Sequence, residues 1–336
     1  MIFSGDVLKA FGRTPVAAAV LGSLLLAACG GGDQKETFRA SRIVSFGDEN
    51  TLINPDGTQY TVNNPLAATA TTPAYAPCAV NPAWIQVVAT QYGLGFGECT
   101  GEAVKPQAQM KAAVGETVAG ARDKVNAFHA ATPLGTGDLV TLMVGAHDLL
   151  ALYEANPTAS GSDLTTLQNA AFERGRDLGS LAFEVVGRGP KVLITTVHNL
   201  STAPLAPTGT DADAAARRKV LDTISKAFND GLNDRLSDDP NGGGRSGAVL
   251  EVDQQIEKYR RNVDAAYTAI GDRINPACVV AGTTTPMADA DLDTCTSTSA
   301  TDARLTHLWA GRMQFGVATH LQLGLDAVTR ITGNPL

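Results

Sequence analysis

Four titratable side chains lie at the ends of predicted β-strands and could carry out acid–base chemistry. Asp48 and Glu49 follow the first strand, and His147 and His198 lie at the ends of two later ones. A carboxylate beside an imidazole can act as an acid–base pair, because both groups can exchange protons near neutral pH. A polar ligand site, or side chains without a function in an unused pocket, are the alternatives. Asp48, Glu49 and His147 offer no third neutral ligand, so we predict neither a metal site nor a cofactor.

The elements that must position these side chains alternate between short apolar runs and long helical patterns. The predicted strands are 42–47, 138–148, 191–199 and 247–253. The predicted helices are 105–131, 163–187, 212–237 and 313–333, with Asp163 and Asp211 as N-caps. This alternation predicts a three-layer α/β/α fold around a mostly parallel, flavodoxin-like sheet of about five strands. Ligand sites of such sheets lie beyond the carboxyl ends of the strands, where the four titratable side chains are expected.

Two polar segments interrupt the pattern, and both contain cysteines. They are the predicted insertions 50–102 and 279–303 within a single domain over 41–336. The cysteines after the leader are Cys78, Cys99, Cys278 and Cys295, which allow three pairings. We favour Cys78–Cys99 and Cys278–Cys295 because these pairs close short loops, with free buried thiols as the alternative.

The N-terminus has the pattern of an export signal. Lys9 and Arg13 precede an apolar run of residues 16–28, which is too short to span a membrane. The segment Leu26-Ala27-Ala28-Cys29 resembles a bacterial lipobox, so we expect 1–28 to be removed, Cys29 to be lipidated, and 29–40 to be a flexible tether. Because Gly30 follows the cysteine, we expect anchorage in the cell envelope at the outer membrane of a Gram-negative bacterium. An ordinary signal peptide is the alternative.

The charge of the chain argues against one class of partner. The formal net charge is −8, and lysine and arginine do not cluster in any stretch. Binding to phosphates needs a positive surface, so we predict no nucleic-acid partner.

Seven segments occur in an order that points to a known family. They are Phe46-Gly47-Asp48-Glu49, Ala113-Val114-Gly115-Glu116-Thr117, Gly145-Ala146-His147-Asp148, 197–206, 227–236, 275–280 and 308–324. In this order and spacing, residues 41–336 resemble the SGNH/GDSL hydrolases, the GDSL-type esterases and lipases. The resemblance implies the three-layer fold predicted above and hydrolysis of carboxylic esters by a Ser-His-Asp triad.

The residues that carry out that chemistry in the family are replaced here. The resemblance places Glu49 at the position of the nucleophilic serine and Gln314 at that of the histidine. Gly311 lies at the position of the aspartate, and His147 lies at that of the asparagine that binds the oxyanion. Of the family's catalytic residues, only the glycine is kept, as Gly115. A glutamine amide cannot shuttle a proton, and a carboxylate at position 49 would repel an oxyanion and accept its hydrogen bonds. We also expect an ionised Glu49 to raise the pKa of His147.

We find no substitute triad in the sequence. Asp302 and His307 are interpreted as a loop carboxylate and a surface histidine, and His320 as structural. His198 could reach the cleft, although a loop histidine bonded to backbone is the simpler interpretation. Asp48 is expected to hold the tight turn after the first strand.

These observations predict an SGNH/GDSL-like envelope lipoprotein without ester hydrolase activity. It would act as a binding or scaffold module for a glycan, a lipid or a protein, with the membrane contacted through Cys29. An active carboxylic ester hydrolase that uses an unrecognised constellation is one alternative. A lipoprotein that only spaces other envelope components is another.

Overall fold

The structure is a computed structural model that describes residues 38–64, 78, 80–100, 107–238, 247–261 and 269–333. Cys29, the predicted leader and most of the predicted tether lie outside the described residues. Within the described ranges, no helix is both long enough and apolar enough to cross a membrane.

The centre of the molecule is a five-stranded sheet in which all pairs are parallel. Its strands are β1 (Arg42–Gly47), β2 (Ala108–Met110), β3 (Asp138–Met143), β4 (Lys191–Thr195) and β5 (Gly247–Leu250). They lie in the order β2-β1-β3-β4-β5, which is the flavodoxin-like order. The predicted fold class, which the SGNH/GDSL resemblance also implied, is therefore confirmed.

Helices flank the sheet and complete the three layers. They are α1 (Trp84–Gln91), α2 (Gly97–Thr100), α3 (Val118–Ala131), α4 (Ala146–Ala155), α5 (Gly161–Val186), α6 (Ala212–Ser237), α7 (Val252–Arg261) and α8 (Val317–Gly333). Helix α5 packs along α6 and also contacts α3 and α4, whereas α1 packs against α8. The strands β1, β3 and β4 are buried on both faces, which explains their continuous apolar sequence.

The register of β1 against β3 brings the carboxyl ends of the strands together. Arg42 lies opposite Asp138, and the two side chains form an ion pair with Nε 2.8 Å from Oδ1. At the other end, Gly47 lies opposite Met143. The turns that follow β1 and β3 therefore open at the same edge of the sheet.

Several predicted boundaries were wrong. The predicted helix 105–131 begins only at Val118, because its first part contains β2. A strand of three residues has no periodicity of its own, and its pairing with β1 is a tertiary contact. The predicted strand 138–148 ends at Met143 and is followed by α4.

The ends of other predicted strands and helices also differ from those in the structure. The predicted strands 191–199 and 247–253 end at Thr195 and Leu250, and the predicted helix 313–333 begins at Val317. Asp211 caps α6 by accepting a hydrogen bond from the amide of Ala214, as predicted. The prediction of Asp163 as the N-cap of α5 was wrong, because Ser160 is the N-cap residue.

The two disulfides have the predicted connectivity. Cys78 is bonded to Cys99, and Cys278 is bonded to Cys295. The two predicted insertions also meet each other, since the amide of Asn63 donates to the carbonyl of Cys295 over 2.8 Å. The segment after β1 is thus fixed to the C-terminal part of the chain.

Candidate functional site

The site begins at the tight turn after β1. The Asp48 amide donates to the Met143 carbonyl over 3.0 Å, and Asp48 Oδ1 accepts from the Asn50 amide over 3.0 Å. The turn needs glycine at position 47, because a Cβ there would lie 2.4 Å from the Met143 oxygen. This turn directs the Glu49 side chain inward, where none of its surface is exposed.

The Glu49 carboxylate accepts hydrogen bonds from three groups. Oε1 accepts from Gln314 Nε2 over 2.8 Å, and Oε2 accepts from the Gly115 amide over 3.2 Å. His147 Nε2 lies 2.8 Å from each of the two oxygens. The structure therefore brings together four of the residues identified from the sequence, and each carboxylate oxygen contacts two donors.

The Gly115 amide reaches Glu49 because the chain after β2 stays beside the end of β1. The Lys111 amide donates to the Ser45 carbonyl and the Ala113 amide donates to the Gly47 carbonyl. Gly115 then adopts a φ of +72°, in the left-handed region that favours glycine. Its amide consequently points toward the carboxylate.

His147 lies in the first turn of α4, directly after β3. The next residue, Asp148, accepts a hydrogen bond from the Val118 amide at the start of α3 over 2.9 Å. This bond holds α4 and α3 together and fixes the helix end that carries the imidazole. The His147 side chain is 13% exposed, so it is the more accessible partner of the Glu49–His147 pair.

Gln314 comes from the loop before α8 and acts as a donor. Its Oε1 accepts from the Met313 amide over 3.2 Å, which leaves Nε2 directed at Glu49. The next residue, Phe315, donates its amide to Asn50 Oδ1 over 2.9 Å and so locks this loop to the turn after β1. The donor role of Gln314 and the contact made by Asn50 were not predicted from the sequence; the donor capacity of the glutamine amide was the available signal.

Gly311 belongs to the same loop and brings no side chain to the site. A Cβ at position 311 would lie 2.4 Å from Gln314 Oε1 and 2.9 Å from Leu292 Cδ2. A carboxylate at this position would therefore collide with the glutamine as it is placed here. The absence of an acid at 311 and the presence of Gln314 are sterically linked.

The electrostatics favour a charged pair between Glu49 and His147. Burial opposes ionisation of Glu49, but the hydrogen bond and charge of His147 and the bond from Gln314 outweigh it and hold the Glu49 pKa below its ordinary value. Burial likewise opposes charge on His147, yet the hydrogen bond and charge of Glu49 raise the His147 pKa. Burial, together with the negative charge of Glu49, raises the pKa of Asp48 to about 7.

His198 is buried beside Asp48, and within the described residues its Nε2 does not make the backbone bond expected from the sequence. Its ring packs against both Trp309 and Phe315, with ring centroids 5.2 Å away in each case. Burial lowers its pKa to about 4, so the ring is neutral at physiological pH. Its Nε2 has no hydrogen-bond partner among the described residues, and the ring lines a cavity of about 10 Å³ beside Asp48. A volume of this size admits about one water molecule.

The other histidines considered from the sequence have structural surroundings. His320 is buried and accepts a hydrogen bond from the Trp84 amide over 3.4 Å. Asp302 is paired with Arg304, whereas His307 lies 3.8 Å from Asp272. Asp302 and His307 thus have separate partners.

The three donors of the site converge on one carboxylate. Glu49 is the group that the donors contact, and no hydroxyl is paired with a histidine among the hydrogen bonds of the described residues. In the same part of the chain, no cluster of three histidine, cysteine or acidic residues could hold a metal ion.

Comparisons with known proteins give remote structural likenesses. No protein-family model matches this chain, and no curated protein matches it. Phospholipase A1 from Streptomyces albidoflavus NA297 is 13% identical with a TM-score of 0.42, covering 84% of this chain and 98% of that chain. An extracellular lipase from Streptomyces rimosus is 11% identical with a TM-score of 0.43, and the match covers 86% of this chain and 100% of the lipase. A catalytic mutant of an acetylxylan esterase from Geobacillus stearothermophilus is 12% identical with a TM-score of 0.41, and the match covers 87% of this chain and 95% of the esterase. Likenesses this remote assign no activity to this chain.

Proposed function

We propose that this protein is an SGNH/GDSL-like envelope lipoprotein that does not hydrolyse esters and acts as a binding or scaffold module. The observation that carries the proposal is the Glu49 carboxylate held by Gly115, His147 and Gln314. A negative charge at the centre of the donors repels the oxyanion of an acyl-transfer transition state. Gln314 stands where a proton acceptor would be needed, and an amide cannot serve in that role.

Membrane attachment is a separate part of the proposal. It rests on the segment Leu26–Cys29 and on the glycines that follow it. Several acyl chains on Cys29 would anchor the protein stably, which a single chain would not do. Mass spectrometry of the membrane fraction would test it, because an N-terminal peptide that begins with acylated Cys29 is expected. A free thiol at Cys29 in an intact leader would contradict it.

The loss of hydrolysis is tested with the full-length protein purified in a non-ionic detergent. We expect no turnover of short- and medium-chain p-nitrophenyl esters above that of the buffer, and no labelling of any serine or threonine by a fluorophosphonate probe. Turnover that disappears in a Glu49→Ala or His147→Ala variant would establish the alternative, an active ester hydrolase.

The binding role is tested by thermal denaturation with glycans and acyl lipids. A ligand present at a hundred times its dissociation constant stabilises the folded state by about 2.7 kcal/mol. A shift with one class of compound would identify the ligand class. If no compound of either class shifts the transition, a spacer role is favoured over binding.

A further inference from the structure

We propose that the donors around Glu49 form a carboxylate-binding site whose ligand is supplied by the chain itself. In this view Glu49 is a tethered occupant of the pocket, and a free small carboxylate takes its place when the side chain is shortened. The inference deepens the proposed function and rests on it in one respect, namely that Glu49 takes no part in ester hydrolysis.

The donor set matches a single carboxylate in number and geometry. Gly115 contributes a backbone amide, Gln314 a side-chain amide and His147 a ring N–H, so three donors serve two oxygens at 2.8 to 3.2 Å. Charge-assisted bonds of this kind are stronger than bonds between neutral groups.

The charge of the pocket also corresponds to one monoanion. When His147 is protonated, it supplies one positive charge, and the carboxylate of Glu49 balances it. The other acidic groups near the imidazole are Asp48 and Asp289. Asp289 is paired with Arg312 over 2.9 Å, so its charge is compensated elsewhere.

The backbone of each donor residue is held by contacts that do not involve the Glu49 side chain. Gly115 is placed by the backbone bonds that continue the pairing of β1 with β2. Gln314 is held by the Met313 amide and by the bond between Phe315 and Asn50. His147 is placed by α4, which Asp148 ties to α3. Removal of the carboxylate therefore leaves the Gly115 and Gln314 donors in position and keeps His147 on the same helix end.

A Glu49→Ala substitution removes a group of known size. The atoms lost are Cγ, Cδ and the two carboxylate oxygens, which are the heavy atoms of acetate. Acetate is thus the matched probe, and acetamide is a neutral probe of nearly the same shape. Glu49→Gln is the matched control variant because it keeps the volume of the side chain and fills the pocket.

The experiment compares thermal unfolding of the full-length protein in sodium acetate and in sodium chloride at equal ionic strength and pH 7. We expect acetate to raise the midpoint of Glu49→Ala by at least about 3 °C at saturation relative to chloride. We expect no acetate-specific shift in the wild type or in Glu49→Gln, and none with acetamide in any variant. Equal shifts in all three proteins, or no shift in Glu49→Ala, would overturn the proposal.

A double variant tests whether the donors are responsible. Replacing Gln314 by Leu in the Glu49→Ala background removes one donor, and we expect the acetate concentration for half-maximal stabilisation to rise at least about tenfold. An unchanged concentration would show that acetate binds elsewhere. If Glu49→Ala does not fold in chloride, recovery of its circular dichroism in acetate supports the site. Failure to fold in both salts, while Glu49→Gln folds, counts against it.

The result is separable from that of the ester assays. Hydrolysis by the wild-type protein would overturn the proposed function even if acetate bound to the variant. Absence of acetate binding, with no hydrolysis, would overturn only the present inference.

Discussion

At the turn after β1, the Glu49 side chain occupies the place toward which the surrounding donors point. Its carboxylate is buried, and it is compensated by one imidazole and two amide groups. A buried carboxylate without such partners would carry a large desolvation cost. The three donors therefore explain how an ionised glutamate is accommodated at the edge of the sheet.

A serine alone should not restore hydrolysis at this position. Glu49→Ser supplies a hydroxyl, but Gln314 still cannot accept its proton and Gly311 provides no orienting carboxylate. We expect turnover of p-nitrophenyl acetate by this variant to equal that of the wild type within error. Activity in this single variant, accompanied by fluorophosphonate labelling of residue 49, would show that a base exists elsewhere.

The Glu49–His147 pair should make stability depend on pH from both sides. The Glu49 pKa is lowered, so its contribution is present above its ordinary value of 4.5 and is lost as the pH falls through the folded-state pKa. The His147 pKa is raised, so its contribution is complete below 6.5 and is lost as the pH rises through the folded-state pKa.

This dependence can be measured on the imidazole directly. We expect NMR titration to give a pKa above 6.5 for His147 in the wild type and a lower value in Glu49→Gln. Asp48 acts in the opposite sense to Glu49, because its raised pKa makes its ionisation destabilising: the cost grows as the pH rises from 3.8 to about 7 and stays at its full value above that. The comparison of the two proteins isolates the pair, and identical His147 titration in both would contradict the charged-pair interpretation.

At the scale of the elements, the loop before α8 positions Gln314 and depends on a small residue at 311. Gly311→Ala places a Cβ 2.4 Å from Gln314 Oε1, so either the glutamine or the loop must move. We expect a loss of about 1–3 kcal/mol of unfolding free energy, measured by urea denaturation. The double variant Gly311→Ala/Gln314→Ala should recover part of this loss.

A control for the glycine effect is available in the same chain. A Cβ at Gly135 would meet nothing within 4 Å, and the glycine does not have a positive φ. Gly135→Ala should therefore change stability by only a few tenths of a kcal/mol. Equal losses in Gly311→Ala and Gly135→Ala would show that the clash is relieved without cost.

The elements differ in how far their sequences define them. The apolar runs of β1, β3 and β4 and the long pattern of α6 are strong enough to be predicted locally. The short strand β2 was missed because its three residues are defined by pairing with β1. The ordered blocks placed Glu49, Gly115 and His147 together, but the donor role of Gln314 depends on a rotamer fixed by the Met313 amide, which sequence does not display.

At the scale of the whole molecule, the Cys278–Cys295 disulfide closes a polar loop that reaches the site through Leu292 and Asp289. Cys278 and Cys295 are 17 positions apart, and the chain between them contains the turn with Asp289. A disulfide that closes a loop of this length lowers the entropy of the unfolded chain and so stabilises the folded state by about 3 kcal/mol. A Cys278→Ser/Cys295→Ser variant should lose this amount in denaturant unfolding.

Reductant provides the control for the disulfide effect. The wild type should lose stability when fully reduced, and the double serine variant should lose only the share due to Cys78–Cys99. If the variant is as stable as the oxidised wild type, the polar loop is held by its other contacts, among them the bond between Asn63 and Cys295.

The bond between Asn50 and Phe315 joins positions 265 residues apart. In chain order, the turn after β1 comes far ahead of the loop that completes its surroundings. Contacts this distant in sequence form late in folding, since a long stretch of chain must first be ordered. A chain cut before Gln314 would therefore hold Glu49 without the Gln314 amide, and assembly of the pocket requires the loop before α8.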